Sequence, residues 1–248
     1  MILLDASSGA SGDMFLGALV DLGGDRSLLS EVEEVVPVEF EFERVTKAGV
    51  NSLKVNVLGG GDDANDDDAH RSYDEVVSLV EGARGGIPDA VVDDALSVFE
   101  RIGRAEAEVH GVELDELDFH EVGADDAIAD VLGVSLLLHD LGYPDEDAVV
   151  DTLSVGGGRV DAAHGSMPVP VPAVVEILKN TDHTTVGGPV DSELLTPTGA
   201  ALVAEFTRPV DEPPRVNVDA TGYGAGSKEF DHPNVLRAMV GKSAGGLR

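Results

Sequence analysis

ILLDASSGASGDMFLGALVDLGG, residues 2–24, sets the first expectation for the fold. ILLD predicts a short strand, SSGASG a tight loop, and the apolar residues after Asp13 a helix that ends at Gly23 and Gly24. A strand, a loop of small residues and a helix N-terminus together form an arrangement that binds phosphate through backbone N–H groups. The alternative is a plain strand-to-helix turn in which Asp13 is the N-cap residue.

This segment supplies the first candidate ligand-binding residues. Asp5 lies at the carboxyl end of the predicted strand, where α/β proteins commonly place ligand groups. Backbone donors and a helix dipole would be especially useful for holding an anion in this chain, because its formal net charge is −32. The loop and the helix start contribute the other candidates for cofactor binding, which are Ser8, Gly9, Ser11, Gly12 and Asp13.

The rest of the chain mixes strands and helices. VEFEFERV (38–45) and SLKVNVL (52–58) alternate apolar and polar residues around a turn, which predicts a hairpin with one solvent-exposed face. Helical patterns follow from Ser72, from Pro88 to Gly111 and up to about Leu141, with shorter ones near 172–179 and 199–206. We therefore expect an α+β fold with helices packed on a mixed sheet, and a three-layer α/β arrangement as the alternative.

Length and composition favour a single domain over residues 1–248. The chain is long enough for a sizeable core, and 42% hydrophobic residues are typical of globular proteins. GGGDDANDDDA, residues 59–69, predicts a mobile acidic loop, because such residues bury too little apolar surface to offset their ordering entropy. No apolar run reaches the roughly 20 residues that a membrane-spanning helix needs.

The charge is the outlying property of the composition. The chain has 48 acidic and 16 basic residues, a formal net charge of −32. Such a surface repels nucleic acids and anionic membranes, and its even spread indicates a halophilic, cytoplasmic protein in which concentrated salt screens the self-repulsion. The chain has no cysteine, so any metal site must use His, carboxylate or backbone oxygen.

LDFHEVGADDAIAD, residues 117–130, contains the most unusual charge pattern. Asp126 and Asp130 lie at i and i+4 of a predicted helix, where like charges repel by a few tenths of a kcal/mol. A bound cation or a basic side chain would convert this repulsion into attraction. A Gly123 turn would let His120 or Glu121 converge on the two aspartates. The alternative is that the acids cap the helix and His120 satisfies a hydrogen bond in the core.

Two further stretches contain candidate site residues. VGGGRVDAAHGSMPVPVP (155–172) places Arg159 and His164 near glycines that let a ligand approach the backbone. SELLTPTGAALV (192–203) places Thr196 and Thr198 at a helix start marked by proline. Thr196 is expected to be the N-cap residue there even if both threonines also contact a ligand.

Several blocks in order along the chain resemble the nickel insertion (LarC) family of nickel-pincer cofactor biosynthesis. They are LDASSGASGDMFLGALVDLG, AHRSYDEV, AEAEVHG, DFHEVGADDAIADVLG, HGSMPVPVPA, ELLTPTGAALVAEF and GYGAGSKEFDHPNVLRAMVG. The resemblance implies a CTP-dependent nickel chelatase of the lyase class. Its substrate would be a pyridinium bisthiocarboxylate mononucleotide, and its product the nickel cofactor of lactate racemase.

The resemblance also implies roles for named residues. The nickel ligands would come from His70, His120, Glu121 and Asp126, with Asp130 as support behind them. His120, Glu121 and His164 would serve catalysis, since forming a nickel–carbon bond requires a base that accepts a ring proton. The mononucleotide phosphate would bind the SSGASG loop and Arg159, with Thr196 and Thr198 nearby.

The chain departs from the family pattern in three places. Ala6 and Ser7 stand where relatives often have Cys-Phe, and the loop before His70 is rich in Asp rather than His. The family's C-terminal domain, to which CTP binding with a divalent cation belongs, is not in this sequence. We therefore expect either that a separately encoded C-terminal partner supplies this domain or that the gene product was cut short, and a homo-oligomer is a further expectation.

Two other functions fit the same residues. The first is a nickel-binding chaperone or assembly subunit that performs no catalysis. The second is a metal-dependent phosphate-ester hydrolase that uses Asp5 and Asp13.

Overall fold

The computed structural model describes residues 1–59, 71–119, 122–162 and 165–243. The helices in these ranges are α1 (Gly12–Leu22), α2 (Leu29–Glu33), α3 (Tyr73–Glu81), α4 (Asp89–His110), α5 (Asp125–Asp140), α6 (Pro172–Leu178) and α7 (Pro197–Phe206). The strands are β1 (Ile2–Asp5), β2 (Val38–Lys47), β3 (Val50–Gly59), β4 (Arg71–Ser72), β5 (Asp118–Phe119), β6 (Ala148–Val150), β7 (Leu153–Ser154), β8 (Arg159–Ala162), β9 (Gly165–Pro168), β10 (Thr185–Val186), β11 (Arg208–Pro209), β12 (Val216–Ala225) and β13 (Val235–Ser243).

The main sheet is mixed. Its strand order in the described part of the chain is β11-β6-β1-β13-β12-β3-β2. β1 pairs in parallel with β6 and antiparallel with β13, while β2 and β3 form an antiparallel hairpin over their whole length. The helices pack on this sheet and on one another around a single apolar cluster. The predicted combination of a mixed sheet and packed helices is confirmed.

The predicted hairpin with one solvent-exposed face is also confirmed. In β2, Phe40 is buried whereas Glu39 and Glu41 are exposed, so the strand alternates between core and water. Ala48 and Gly49 form the turn with φ of 44° and 90°. Two consecutive positive φ values match the right-handed twist of the flanking strands, which is why a glycine is favoured here.

Helix α1 lies unusually close to the sheet. A Cβ atom on Gly224 would lie 1.8 Å from the carbonyl oxygen of Met14, and one on Gly17 would lie 2.4 Å from that of Leu53. Only glycine permits this approach of helix and strand backbones. The contact fixes the start of α1 beside the region where β3 and β12 separate.

β3 and β12 separate beyond Leu53, and their separation leaves space at that end of the two strands. The parallel pairing of these strands consists of the single pair Gly224 and Leu53. Beyond Leu53, β3 remains paired with β2 on its other side. Residues 55–58 of β3 are consequently free to line a pocket beside the start of α1.

The helix starts correct one local prediction and confirm another. The N-cap residue of α1 is Ser11 in extended conformation, not Asp13, which lies in the first turn. Asp13 still serves the helix terminus, because its Oδ1 accepts a hydrogen bond from the backbone N–H of Met14 at 2.9 Å. Thr196 caps α7 as predicted, accepting from the N–H of Gly199 at 3.1 Å.

Two predictions concern other parts of the chain. Of the acidic loop expected at 59–69, Gly59 ends β3 and the remaining positions lie outside the described residues. None of the described helices is both long and apolar enough to cross a bilayer.

Candidate functional site

A pocket of about 440 Å³ opens where three helices begin next to β3. The starts of α1, α5 and α7 form its walls, together with residues 55–58 of β3 and the loop after β12. A helix start presents unpaired N–H groups and the positive end of the helix dipole. The polar or backbone-lined positions around the pocket are Ser11, Gly12, Asp13, Asn56, Asp126, Asp130, Thr196, Thr198 and Ser227.

The loop before α1 is tied directly to the start of α7. Ala10 donates its N–H to the carbonyl oxygen of Leu194 at 3.0 Å, and Thr196 donates to the carbonyl oxygen of Ala10 at 3.1 Å. Gly199 packs so closely that a Cβ atom would lie 2.1 Å from the Ala10 carbonyl oxygen. These contacts bring Thr196 and Thr198 to the same pocket as the small-residue loop.

The carboxylate of Asp13 is held by three donors. The hydroxyl of Ser11 and the N–H of Met14 donate to Oδ1, and the hydroxyl of Ser227 donates to Oδ2 at 3.2 Å. These hydrogen bonds hold the carboxyl group of Asp13 in one orientation on one wall of the pocket.

Asp130 faces the pocket from the second turn of α5. Its Oδ1 is closed to solvent and has no hydrogen-bond partner among the described residues. Gly12 leaves the space that this carboxyl group occupies, since a Cβ atom on Gly12 would lie 2.2 Å from Oδ2 of Asp130. Burial, followed by the negative charges of Asp13 and Asp126, raises the pKa of Asp130 well above its ordinary value.

Arg71 is a basic residue near the start of α5, but it contacts Gly123 and Asp125 rather than Asp126 or Asp130. Arg71 donates to the carbonyl oxygen of Gly123 and to Oδ1 of Asp125, both at 2.6 Å. Neither Asp126 nor Asp130 forms an ion pair with a basic residue in the described part of the chain. A basic side chain between Asp126 and Asp130, one of the two predicted explanations, is therefore not found there.

Several predicted metal and catalytic residues lie outside the described residues. They are His70, His120, Glu121 and His164. Asp126 is the one predicted metal ligand that is described, and it is exposed at the pocket rim. Among the described residues, no group of three or more His, Cys, Asp or Glu side chains is arranged to hold a metal ion.

The other predicted binding residues are held elsewhere. Asp5 forms an ion pair with Arg237 and lines a second pocket of about 270 Å³. Burial opposes ionisation of Asp5, but hydrogen bonds from Ser7 and the charge of Arg237 outweigh it and lower its pKa. Ser8 donates to the carbonyl oxygen of Pro233 at 2.7 Å. These contacts separate Asp5 and Ser8 from the main pocket.

Gly9 and Arg159 also have local roles. Gly9 has a φ of 86°, and a Cβ atom there would lie 2.0 Å from the carbonyl oxygen of Leu194. Arg159 donates to the hydroxyl and carbonyl oxygens of Ser166 across its own hairpin. The predicted site thus divides, and Ser11, Gly12, Asp13, Asp126, Thr196 and Thr198 are the described members that share the main pocket.

Sequence reasoning missed two groups of pocket residues. Ser227, in the loop after β12, is brought to Asp13 by the tertiary fold, and no local signal marks it. The sequence predicts residues 55–58 as half of a hairpin, with no sign that their free edge lines a pocket. The sequence signals that do point to this place are the small-residue loop before Asp13, the helix start at Thr196 and Thr198, and the repulsive spacing of Asp126 and Asp130.

A protein-family model and individual known proteins that match this chain are both named for nickel insertion. The family model described as Nickel insertion protein matches residues 2–247. A protein of Methanococcoides burtonii, provisionally named for nickel insertion, is 43% identical over 247 residues, which are 99% of this chain and 60% of that protein. No solved structure matches the chain.

A second relative has a more specific name. The pyridinium-3,5-bisthiocarboxylic acid mononucleotide nickel insertion protein of Desulfitobacterium hafniense is 39% identical over 244 residues, or 97% of this chain and 58% of that protein. The chain therefore spans about three fifths of the length of the relatives it matches.

Proposed function

We propose, because this chain belongs to the nickel insertion protein family, that it takes part in inserting nickel into pyridinium-3,5-bisthiocarboxylic acid mononucleotide. The observation that carries this proposal is the 39% identity, over 97% of the chain, to a relative named for that reaction. The pocket at the starts of α1, α5 and α7 is the proposed binding site.

The helix starts around this pocket support an anionic ligand. The mononucleotide has an anionic phosphate and two thiocarboxylates on its pyridinium ring. The helix starts offer N–H groups for the phosphate. The hydroxyl of Thr198 lines the same space and can donate to the phosphate.

Nickel would enter as a substrate. The described acids Asp13, Asp126 and Asp130 offer oxygen alone, whereas Ni²⁺ is bound well by nitrogen and sulfur. The two thiocarboxylates of the mononucleotide supply sulfur. We propose His120, Glu121 and His70 as the protein groups that bring the ion, with Asp126, because His120 and Glu121 lie a few residues before the start of α5 in sequence.

A nickel–carbon bond between the two thiocarboxylates would require the ring proton to leave. His120, Glu121 and His164 are the proposed proton acceptors, since imidazole and carboxylate are suitable bases near neutral pH. We further propose that CTP with a divalent cation binds a C-terminal partner polypeptide, and that the product is the nickel-pincer cofactor of lactate racemase. Both proposals follow from the family resemblance.

The test is direct conversion. The purified chain is incubated in high salt with Ni²⁺, the mononucleotide, CTP and Mg²⁺, with and without the C-terminal region of a relative, and products are identified by mass spectrometry. The expected product is the mononucleotide with nickel in place of the ring proton. If Ni²⁺ binds and no product forms in either mixture, the chain is a nickel chaperone. Phosphate release from simple esters would instead support the hydrolase alternative.

A further inference from the structure

We propose that the backbone N–H of Val57, on the open edge of β3, donates to the oxygen of one thiocarboxylate of the mononucleotide and turns its sulfur toward nickel. The inference rests on the proposed function for the identity of the ligand. It assigns a role to the β3 wall of the pocket, which the proposed phosphate and nickel contacts leave unused.

The β2–β3 hairpin determines which backbone groups of β3 point away from β2. Residues 48–49 form a two-residue turn with positive φ values, so Lys47 and Val50 are a hydrogen-bonded pair. The register continues from there to the end of the hairpin without a bulge. Hydrogen-bonded and non-hydrogen-bonded pairs alternate along an antiparallel ladder. The odd-numbered residues of β3, which include Val57, therefore direct their N–H and C=O groups away from β2.

Two contacts agree with this alternation. Phe40 of β2 pairs with Val57, and its N–H points out of the ladder to Oε1 of Glu33, at 3.0 Å. Leu53, another odd-numbered residue of β3, pairs with Gly224 on the other side. No further pair joins β3 to β12 in the described part of the chain. The outward N–H of Val57 consequently faces the pocket rather than a neighbouring strand.

The β3 wall suits one edge of the pyridinium ring. The residues that β3 contributes to the pocket carry no charge, and they are Val55, Asn56, Val57 and Leu58. Leu58 is 43% exposed and offers an apolar surface on which a planar ring can pack. Val57 is half-buried, so a hydrogen bond at its N–H is partly shielded from water and is strengthened. A single N–H suits one oxygen atom, whereas a phosphate is better served by the several N–H groups of a helix start.

The oxygen and the sulfur of a thiocarboxylate prefer different partners. Anionic oxygen accepts a strong hydrogen bond from a backbone N–H, whereas sulfur is a weak acceptor. Ni²⁺, in contrast, binds sulfur well. Because both atoms are attached to one carbon, fixing the oxygen at β3 turns the sulfur away from the strand. The acids of the pocket belong to α1 and α5, so a metal cation is attracted toward these helices rather than toward β3.

Calorimetric titration of the complete chain in high salt tests the role of this N–H. The probe is the 3,5-dicarboxylate analogue of the mononucleotide, in which oxygen replaces both sulfurs. Val57→Pro removes the N–H and leaves the pairing with β2 intact. It should weaken binding about tenfold to about a hundredfold, the effect of losing a hydrogen bond to a charged group.

Two control variants separate the N–H from other effects of the substitution. Val57→Ala shortens the side chain but keeps the N–H, so its affinity for the probe should stay close to that of the wild type. Asn51→Pro is the matched control for proline, because Asn51 is also an odd-numbered residue of β3 but is exposed and outside the pocket. It should bind the probe as the wild type does.

Amide hydrogen exchange, resolved by residue with NMR, gives a second readout on the wild type. The N–H of Val57 should exchange at least about tenfold more slowly when the probe is at about 100 times its Kd. Asn56, whose N–H bonds to β2, is the internal control and should change less. Inorganic phosphate alone should leave the exchange of Val57 unchanged, because phosphate is expected at the helix starts.

Four results would overturn the inference. They are no binding of the probe by the folded wild type, equal affinities of Val57→Pro and Asn51→Pro, exchange of Val57 that the probe does not slow, and exchange that inorganic phosphate slows as strongly. Circular dichroism of each variant separates loss of binding from loss of fold, and the exchange measurement decides if Val57→Pro does not fold. Nickel insertion is judged by its own product assay, so failure here is distinguishable from failure of the proposed function.

Discussion

At the scale of single residues, the contact between Gly12 and Asp130 decides the shape of the pocket. Because Gly12 has no side chain, the Asp130 carboxyl group can occupy the space beside it. The i, i+4 spacing of Asp126 and Asp130 is visible in the sequence. The sequence does not show that Asp13 joins these two acids, because Asp13 belongs to a helix more than one hundred residues earlier in the chain.

Gly12→Ala is the first prediction at this scale. The new Cβ atom would lie 2.2 Å from Oδ2 of Asp130, so either α1 or α5 must shift. We expect a loss of about 1–3 kcal/mol of stability, the usual cost of overpacking, measured by urea unfolding in high salt. Gly59→Ala is the control, because nothing lies within 4 Å of its added Cβ atom. Equal stability of the two variants would contradict the packing described here.

Asp130→Asn is the second prediction at this scale. A carboxyl group whose folded pKa is raised binds its proton more tightly when folded. Its contribution to stability is therefore lost as pH rises from its unfolded pKa through its folded pKa. A tenfold difference in proton affinity between the folded and unfolded states corresponds to about 1.4 kcal/mol. Unfolding free energies at about pH 5 and about pH 8 should show a smaller decline for Asp130→Asn than for the wild type, and an identical decline would exclude the raised pKa.

At the scale of elements, Arg71 positions the start of α5. Its guanidinium bridges the Gly123 carbonyl oxygen and the Asp125 carboxylate, with both side chains no more than a quarter exposed. This bidentate contact links β4 to the turn that precedes the helix. The first turn of α5, and with it Asp126, depends on that link.

Arg71→Ala should therefore loosen the first turn of α5. We expect a loss of about 1–3 kcal/mol and faster amide exchange near Asp126, measured by hydrogen–deuterium exchange mass spectrometry. Arg104→Ala is the control, because its ion pair with Glu100 lies on the exposed face of α4 and contributes about 0.5 kcal/mol or less. Unchanged exchange around Asp126 in Arg71→Ala would show that the link does not order the helix start.

Most of the helices and strands could be predicted from the sequence. Which of them come together at the pocket could not. The strand–loop–helix at residues 2–24, the β2–β3 hairpin and the Thr196 cap follow from local patterns, which the structure confirms. The misassigned N-cap at Asp13 reflects a competition between two short polar residues that local sequence does not resolve. The division of the predicted binding residues between two pockets depends on which strands pair, and that information is nonlocal.

At the scale of the whole molecule, we expect the net charge to make stability depend on salt. With 48 acidic and 16 basic residues, the compact state repels itself wherever salt does not screen it. The melting temperature should rise between about 0.1 M and about 3 M KCl, by about 2–4 °C for each kcal/mol of repulsion removed. Differential scanning calorimetry measures this. A melting temperature independent of salt would contradict the halophilic interpretation.

We propose that the pocket at the starts of α1, α5 and α7 receives the nucleotide and nickel. A crystal structure of the chain soaked with pyridinium-3,5-bisthiocarboxylic acid mononucleotide and Ni²⁺, with anomalous data at the nickel edge, tests it most directly. We predict phosphate density beside Ser11 and Thr198, and a nickel peak at the thiocarboxylates. Density instead in the pocket lined by Asp5 and Arg237, with the first pocket free of nucleotide, would contradict this placement of the nucleotide.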